Sequence, residues 1–521
     1  MASADAPKGI LSVLQPDLRA LALGARRKHE GIKEAAERAI ERLRRLEERH
    51  KFGVDQNSEY IAAVAESPEI LQPFTLALDS KVDKMVALAM GSIQKLVAHK
   101  AVSLPNIKKL LRYLKAYAAH GSDSVQLKTL QVAVAILTSD MKKMDQVALT
   151  ASLEVCFRLQ ACKNQGIRNT AAAALRQVIS MMFDTAAGDW AAYKQAQGSA
   201  EGKAGEGAGA GGKEMSGEEE MKKVPSMWGA YQLLRDLCCL TVGDMPAWIR
   251  MEQLDPNFGL ELIEAVLAAQ PQLLSTTPAF LELLRDRVCP LVVQLLKGSK
   301  FPTLIRVQRT ILVLVRHYSG VLVAECEMYL TATARLLGDR KELWVQAVAL
   351  ESLRELSNSS QLMGQLCQRY DMTRQDKSKG VVEGEEANLF FVIIAALGVY
   401  VQTMYGWDEK GLKYFKYHVR CLDQLAATEP PVLTDRYVVT LALESLLGCV
   451  NSIEVFCDSG KESDKELAVV MSQLAWPSML PAFEMLLART DDEELVHAIL
   501  QGYQSFTHSC GMLGLQTPRG M

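Results

Sequence analysis

The sequence predicts an all-α protein built as an armadillo- or HEAT-like helical-repeat solenoid. Hydrophobic residues make up 49% of the 521 residues and aromatic residues only 6%, a balance that favours helices over sheets rich in β-branched and aromatic residues. Apolar residues recur at helical spacing along most of the chain, and no convincing pair of alternating strands is found. Short breaks that contain proline or glycine separate the helical stretches.

The helical period is clear near the N-terminus and recurs in the middle of the chain. Ile32, Ala35, Ala36, Ala39 and Leu43 follow the i, i+3, i+4 rhythm of one helix face, with Arg and Glu between them. Breaks such as Ser67-Pro68 and Leu104-Pro105 end one helix and begin the next. Helices joined by short breaks pack as antiparallel hairpins, and a row of hairpins forms a solenoid. Such a solenoid offers surface rather than a pocket, which favours protein partners.

Residues 186–225 interrupt this pattern. The segment is rich in Gly, Ala, Glu and Lys and has no apolar stripe, which predicts a disordered linker. Deleting residues 190–222 is therefore expected to leave the melting temperature nearly unchanged. The linker would separate an N-terminal helical block, 5–185, from a second block.

Charge and cysteine content exclude several classes of protein. The net charge of −3 and the scattered basic residues do not predict a nucleic-acid partner. The 11 cysteines contain no Cys-x-x-Cys pair, which predicts buried, reduced thiols in a cytoplasmic protein. The uncharged stretch 387–407 is interrupted by polar residues and glycines, so a buried core helix is favoured over a membrane span.

No motif predicts a catalytic, cofactor or metal site. Gly207, Gly209 and Gly212 fit a dinucleotide-binding pattern, and Gly207 to Lys213 resembles a phosphate-binding loop. Both need a strand before the loop and a helix after it, and neither is predicted here. The eight histidines lack the spacing of a zinc site. The sequence therefore predicts a protein that is not an enzyme.

Several segments together carry a family resemblance. They include IQKLVAHKAVS at 93–103, the stretch 155–184, FGLELIEAVL at 258–267, LRDRVCPLVVQLL at 284–296 and VLVAECEMYL at 321–330. These segments resemble the Mon-two (Ysl-two) family, which is related to the large Arf guanine-nucleotide exchange factors of the Golgi. The resemblance spans nearly the whole chain.

The resemblance implies three domains. It implies a dimerisation and cyclophilin-binding (DCB) domain over 5–185, a homology-upstream-of-Sec-seven (HUS) domain over 228–405, and the start of a downstream homology region over 408–521. In the related exchange factors the HUS domain carries a box similar to Asn-Tyr-Asp-Cys-Asp. The matching stretch here runs from Arg369 to Thr373, and only Tyr370 and Asp371 agree with the box.

Tyr370 and Asp371 are therefore the predicted interaction residues, and two interpretations stay open. Either the pair binds a partner, or Asp371 closes a turn after a helix over 359–369 and Tyr370 packs beneath that helix.

The catalytic loop of the related exchange factors, Phe-Arg-Leu-Pro-Gly-Glu, has only a partial counterpart in this chain. Phe157-Arg158-Leu159 begins in the same way but continues with Gln160-Ala161-Cys162 inside a predicted helix. No carboxylate occupies the catalytic position, and no exchange domain lies between the HUS-like and downstream parts. The resemblance therefore also implies a protein without exchange activity.

The function implied is that of a non-enzymatic scaffold or regulator of vesicle traffic between the trans-Golgi network and endosomes, in protein transport and cargo recycling. The implied partners are a Dopey-family protein, an Arf-like small GTPase and a complex linked to a phospholipid flippase. The location implied is cytoplasmic and peripheral on those membranes. Two alternatives stay open: an Arf-family exchange factor or its regulator that acts through a domain beyond residue 521, and a HEAT-repeat transport adaptor with other cargo.

The apolar ends of the 5–185 block predict a homodimer. Ile10, Leu14 and Leu18 form a stripe at its start, and Val178 and Phe183 lie at its end. A repeat block must cover its terminal apolar faces, and symmetric pairing is the commonest way for a protein to do so with a second copy. The resemblance to a dimerisation domain supports the same expectation.

Overall fold

All regular elements of the described residues are helical. The computed structural model describes residues 10–25, 29–49, 56–139, 144–201, 217–251, 253–298, 300–338, 341–372, 388–403 and 420–516. The chain divides into two compact units, Met1–Asp255 and Pro256–Met521, and each is described by itself. Within those ranges no strand occurs, and the predicted all-α class is confirmed.

The first unit is a series of helices joined by short breaks. The longest, α9, has 37 residues. In chain order the helices are α1 (Ile10–Ala25), α2 (Glu30–Arg49), α3 (Gln56–Glu66), α4 (Pro68–Asp79), α5 (Asp83–Ala98), α6 (Leu104–His120), α7 (Asp123–Ser139), α8 (Gln146–Gln160), α9 (Gln165–Glu201), α10 (Gly217–Met221) and α11 (Pro225–Val242).

Helices of the first unit pack on their neighbours and on the helix two positions further along. α1 lies against α2 and α5, and the pairs α2–α4, α5–α7 and α6–α8 repeat the second kind of contact. The stripe of α1 is covered by this packing, so Leu14, Leu18 and Leu21 are at most 1% exposed. Successive helix pairs that stack in this way form a helical-repeat fold, which confirms the predicted architecture.

Sequence breaks correspond to helix starts as predicted. α4 and α6 carry Pro68 and Pro105 in their first turns, where the missing N–H of proline has no intrahelical partner to lose. α8 is capped by Asp145, whose carboxylate accepts the N–H of Ala148 at 3.0 Å. α5 ends with Lys100 in the left-handed region, at φ 58°, the conformation that commonly closes a helix.

The apolar residues proposed as a dimer face are buried within the first unit. At the start of the block Ile10 is 4% exposed and Leu14 1%, and at its end Val178 and Phe183 are 0% and 1% exposed. α7, α8 and α11 pack against α9 and cover that end. The argument for a homodimer from uncovered terminal faces is therefore wrong.

The prediction of a disordered linker over 186–225 is wrong for residues 186–201 and 217–225. Residues 202–216, which include the glycine motif from Gly207 to Lys213, lie outside the described residues. α9 continues to Glu201, and helices resume at Gly217. Lys194 Nζ lies 2.6 Å from Glu220 Oε1 and 4.9 Å from the centre of the Trp190 ring. The Lys and Glu side chains that composition assigned to a solvated linker thus form ion-pair and cation–π contacts.

The division between the two units also differs from the sequence prediction. α11 lies within the second block predicted from the sequence, yet it packs against α9 and buries Leu233, Leu234 and Leu237. The first unit therefore extends through α11 and the following loop to Asp255. Along the chain, the boundary between the two units therefore falls after that loop, between Asp255 and Pro256, rather than in the glycine-rich segment.

The regular elements in the described residues of the second unit are also all helical. Two π-helical turns, Leu284–Val288 and Cys367–Met372, and a 3-10 turn, Cys421–Asp423, interrupt or extend its α-helices. The α-helices are α12 (Pro256–Ala269), α13 (Pro271–Thr276), α14 (Pro278–Leu283), α15 (Cys289–Leu296), α16 (Phe301–Tyr318), α17 (Val323–Arg335), α18 (Leu343–Ser357), α19 (Ser360–Leu366), α20 (Leu389–Thr403), α21 (Asp435–Asp458), α22 (Glu462–Arg489) and α23 (Glu493–Met512).

Residues 389–403 of the uncharged stretch noted in the sequence form α20, a core helix of the second unit. α20 packs against α17, α21 and α22, and Ile394, Leu397 and Val401 are fully buried. Its 15 residues are fewer than the roughly 20 that a membrane span needs. Among the described helices, α21 alone is long and apolar enough to cross a membrane, and 67% of its apolar window is buried inside the unit.

The close crossing of α20 and α22 gives a test of the packing. In Gly398→Ala the added Cβ would lie 2.5 Å from the backbone oxygen of Ser478 and 3.0 Å from its Cβ. We expect a loss of about 1–3 kcal/mol in the free energy of unfolding, because α22 must move away. Gly298→Ala is the control, since nothing lies within 4 Å of its new Cβ. Denaturant midpoints followed by circular dichroism compare the two, and equal midpoints would contradict the crossing.

The contacts around residues 202–216 give a second test. Deleting 190–222 removes Trp190, Lys194, Glu220 and the buried Met221, so we expect the melting temperature to fall by at least about 2–4 °C, which is ~1 kcal/mol for a unit of this size. Deleting only 203–213 removes Gly-, Ala-, Glu- and Lys-rich sequence and keeps these contacts, and shortening the connection between two helices costs little. Equal melting temperatures for the two deletions would show that the contacts do not stabilise the unit.

Candidate partner-binding site

The two predicted interaction residues lie together in the interior of the second unit. Tyr370 and Asp371 belong to the π-helical turn Cys367–Met372, which continues α19 without a break. Their side chains are buried, with exposures of 1% and 0%. Asp371 therefore lies inside a helical run that reaches Met372 rather than in a turn after residue 369, and Tyr370 is buried within the same run rather than beneath it.

Their hydrogen bonds join three helices. The Tyr370 hydroxyl donates to the carbonyl oxygen of Val323, the first residue of α17, at 2.8 Å. Asp371 Oδ2 accepts the N–H of Phe390 at 3.2 Å, in the first turn of α20, where a carboxylate also complements the helix dipole. Arg369 donates to the Ser319 hydroxyl at 3.0 Å. The matched box thus positions the starts of α17 and α20.

This geometry limits what the pair can do. A side chain that is fully covered presents no atom to a partner in this conformation. The structure brings Tyr370 and Asp371 into one junction, but it directs both towards neighbouring helices. Their role as interaction residues stays a prediction, and any effect on a partner would act through the helices that they position.

Glu351, in the middle of α18, organises a second junction that sequence reasoning missed. It is 2% exposed, and its carboxylate accepts the N–H of Cys421 at 2.7 Å and of Leu422 at 2.8 Å. The hydroxyl of Tyr437 donates to the same carboxylate from the first turn of α21. Burial raises the pKa of Glu351, and these three hydrogen bonds only partly oppose the rise. One carboxylate therefore holds two separate parts of the chain.

Charged side chains surround this junction nearer the surface. Glu355, one turn along α18, pairs with Arg316 at 2.6 Å and with Arg420 at 3.1 Å. Arg309 donates to the carbonyl oxygen of Leu422 at 3.5 Å. These pairs are partly exposed, so each contributes little alone, but together they favour one position for the start of the segment at 420.

A third buried acid, Asp236 of α11, anchors the loop at the end of the first unit. Asp236 is fully buried and accepts the N–H groups of Ala247, Trp248 and Ile249 at 3.2, 2.6 and 2.7 Å. Glu154 of α8 adds a further bond, from the N–H of Arg250 at 2.9 Å. The loop is thereby fixed although it has no regular structure.

The signal that sequence reasoning missed is an acid on the apolar stripe of a helix. Asp236 falls three residues after Leu233 and four before Leu240, and Glu351 falls four residues after Ala347 and three after Val348, at spacings that place them on buried faces. A buried charge requires a partner. Such positions predict anchoring acids, although the sequence does not identify the distant backbone that they bind.

No group of three His, Cys, Asp or Glu residues within the described part of the chain is placed to hold a metal ion. Phe157 and Leu159, in the partial match to the exchange loop, are fully buried in α8, which ends at Gln160. Cys162 therefore lies just after that helix rather than inside it.

The expected burial of the thiols is confirmed for ten of the eleven cysteines. Cys162 is the partly exposed exception. Burial raises the pKa of Cys156 to about 12 and that of Cys289 to about 11. Both are therefore neutral near pH 7 and are poor nucleophiles.

Comparison with known proteins matches two domains to this chain. Residues 5–190 match the family model of the Mon2/Sec7/BIG1-like dimerisation and cyclophilin-binding (DCB) domain. Residues 229–378 match the Mon2/Sec7/BIG1-like HUS domain. The HUS match includes α11 of the first unit and ends beyond Tyr370 and Asp371.

Curated relatives match along almost the whole chain. The chain is 27% identical to Protein MON2 homolog of Xenopus laevis, over 99% of this chain and 35% of that protein. Identity to the Homo sapiens homolog is also 27%, with the same coverage, and to the Drosophila melanogaster homolog 26%, over 98% of this chain and 33% of that protein. The chain thus spans about a third of the length of these relatives. Among solved structures, an engineered protein aligns over 94% of this chain and 98% of that chain, with 12% identity and a TM-score of 0.31. A score this low does not indicate a shared fold.

Glu351 gives a test of the second junction through pH. Its pKa is raised above the ordinary value of 4.5, so its contribution to stability is complete below that value and is lost as pH rises through the folded-state pKa. We expect Glu351→Gln to cost about 1–3 kcal/mol, because an amide N–H₂ would face the N–H donors. The excess stability of the wild type over Glu351→Gln should grow as pH falls from neutral towards 4.5. Urea unfolding across this range measures it, and a constant or shrinking difference would contradict the assignment.

Proposed function

Because the chain belongs to the Mon2 family and carries the DCB and HUS domains of the Mon2/Sec7/BIG1-like proteins, we propose that it is a non-enzymatic scaffold or regulator of vesicle traffic. The traffic concerned runs between the trans-Golgi network and endosomes and serves protein transport and cargo recycling. The observation that carries the proposal is the pairing of these two domains on a helical-repeat framework. Such a framework acts by presenting surface.

The proposed partners are those implied by the family. They are a Dopey-family protein, an Arf-like small GTPase and a complex linked to a phospholipid flippase. The chain would act from the cytoplasm, peripherally attached to trans-Golgi and endosomal membranes. Helix faces and the anchored loops between them supply the contact surfaces, whereas buried residues such as Asp371 hold these surfaces in place.

One alternative keeps the family but changes the activity. The matched domains also occur in Sec7- and BIG1-like proteins, so the chain could belong to an Arf-family exchange factor, or to a regulator of one, with the activity in a region beyond residue 521. A second alternative is a HEAT-repeat transport adaptor with other cargo. A purified Dopey-family protein separates this second alternative from the scaffold proposal, because only the scaffold should bind it.

A nucleotide-release assay tests the absence of exchange activity. We expect catalytic amounts of 1–521 to leave the release of a fluorescent guanine nucleotide from Arf and Arf-like GTPases at the intrinsic rate. The reason is that Arg158-Leu159 is followed by Gln160-Ala161-Cys162, without the catalytic carboxylate. A Sec7 catalytic domain serves as the positive control. Release above the intrinsic rate would contradict the non-enzymatic proposal, because it would place exchange activity within residues 1–521.

Assembly state gives a separate test. The matched domain over 5–190 is described as a dimerisation domain, so we expect 1–521 to form a homodimer. Light scattering coupled to size exclusion should give twice the chain mass of 57.4 kDa at micromolar concentration. Because the stripe of α1 is buried, Leu14→Ala should lower the free energy of unfolding rather than dissociate the dimer. Leu23→Asp, in contrast, changes a side chain on the surface of the same helix that is 69% exposed. A mass of one chain would contradict the dimer.

A further inference from the structure

Residues 424–434 form an exposed strap between the 3-10 turn Cys421–Asp423 and α21. Val432 is 99% exposed and Leu425 39%, and Glu429 and Pro430 are also exposed. An isolated exposed apolar side chain needs no explanation. Here the apolar residues are grouped with two prolines in one short segment that the second unit holds at both ends.

The strap has a turn at residues 425–426 and a bend at Thr428 and Glu429, and the backbone of residues 429–431 is restricted by their sequence. Proline fixes its own φ near −65° and restricts the preceding residue to extended or polyproline II geometry. Glu429 and Pro430 each precede a proline in Glu429-Pro430-Pro431, so both are restricted. No backbone hydrogen bond joins residues 428–433 to another described residue, as is usual for polyproline II, which forms none of its own.

Both ends of the strap are attached to one buried carboxylate. Glu351 accepts the N–H groups of Cys421 and Leu422 before the strap and the hydroxyl of Tyr437 after it. The ends are therefore held together while the middle projects into solvent. A segment fixed in its bound conformation loses little entropy when it binds, so short contacts suffice for affinity.

From these observations we propose that the strap is a docking site for a protein module whose aromatic-lined groove binds polyproline II. Pro430, Pro431 and Val432 supply the apolar ridge that such grooves accept. Glu429, exposed beside the ridge, selects a groove with a basic residue at its rim. The inference concerns a contact beyond the proposed trafficking function and does not depend on it.

The charge of the strap argues against a membrane as the occupant. Three acids, Asp423, Glu429 and Asp435, outnumber two bases, Arg420 and Arg436, along the strap and at its ends, and Asp423 is paired with Arg420 at 3.6 Å. Anionic lipid surfaces attract basic segments and repel acidic ones. One exposed valine and one partly exposed leucine bury too little apolar area to overcome that repulsion.

The test uses the full chain and purified modules. A panel of SH3, WW and EVH1 domains serves as the set of probes, and biolayer interferometry measures binding to 1–521. We expect at least one domain to bind with micromolar affinity and to be displaced by a proline-rich peptide. The double variant Pro430→Ala, Pro431→Ala and the variant Val432→Asp should each weaken that binding at least tenfold. Val147→Asp, at a valine that is 69% exposed in the first unit, should leave it unchanged.

Further measurements separate anchoring from sequence alone. Glu351→Gln leaves the strap sequence intact but releases its ends, so the affinity of the panel domain for the chain should fall several-fold. For the same reason, a synthetic peptide of residues 424–434 should bind that domain more weakly than the chain does. Melting curves establish that the variants are folded. The proposal is overturned if no panel domain binds, if the strap variants bind as the wild type does, or if Glu351→Gln has unchanged affinity. Binding to neutral lipid vesicles that Val432→Asp abolishes would overturn it in favour of a membrane.

Discussion

Buried carboxylates that accept backbone N–H groups are the interaction on which the irregular parts of this protein depend. A repeat helix satisfies its own backbone, but the chain between helices must find other partners for its N–H groups. Asp236, Glu351 and Asp371 supply them to residues 247–249, 421–422 and 390. These bonds offset part of the cost of burying each acid, and the acids are fixed in position together with the segments that they bind.

This constraint connects the fold to a scaffold function. Helix faces of a repeat protein are held by packing, but the loops between them are usually mobile. In the second unit, Glu351 fixes both ends of the strap, and in the first, Asp236 and Glu154 fix the loop after α11. Surfaces that keep one shape can be recognised repeatedly without a large entropic cost. The buried acids thus support function from beneath the contact surface.

The helices could be predicted from the sequence because their apolar periodicity is local. The contacts between distant residues could not, because no local pattern records which residues meet. The apolar spacing of α2 and the proline at the start of α4 identify elements correctly because each signal lies within one helix. Composition assigned Lys194 and Glu220 to a linker because it cannot register that they meet across 26 positions. Tyr370 and Asp371 were located by resemblance, but their burial depends on α17 and α20. The same limitation concealed the partners of Asp236 and Glu351.

Hydrogen exchange at the anchored amides tests the central claim most directly. The N–H groups of Trp248, Ile249, Cys421 and Leu422 lie outside α-helices yet are bonded to buried carboxylates. Our account predicts that they exchange as slowly as amides in the middle of α11 and α18, because they open only when the supporting helices open. Exchange at the rate of unprotected surface loops would contradict it and show that the buried acids do not hold these segments.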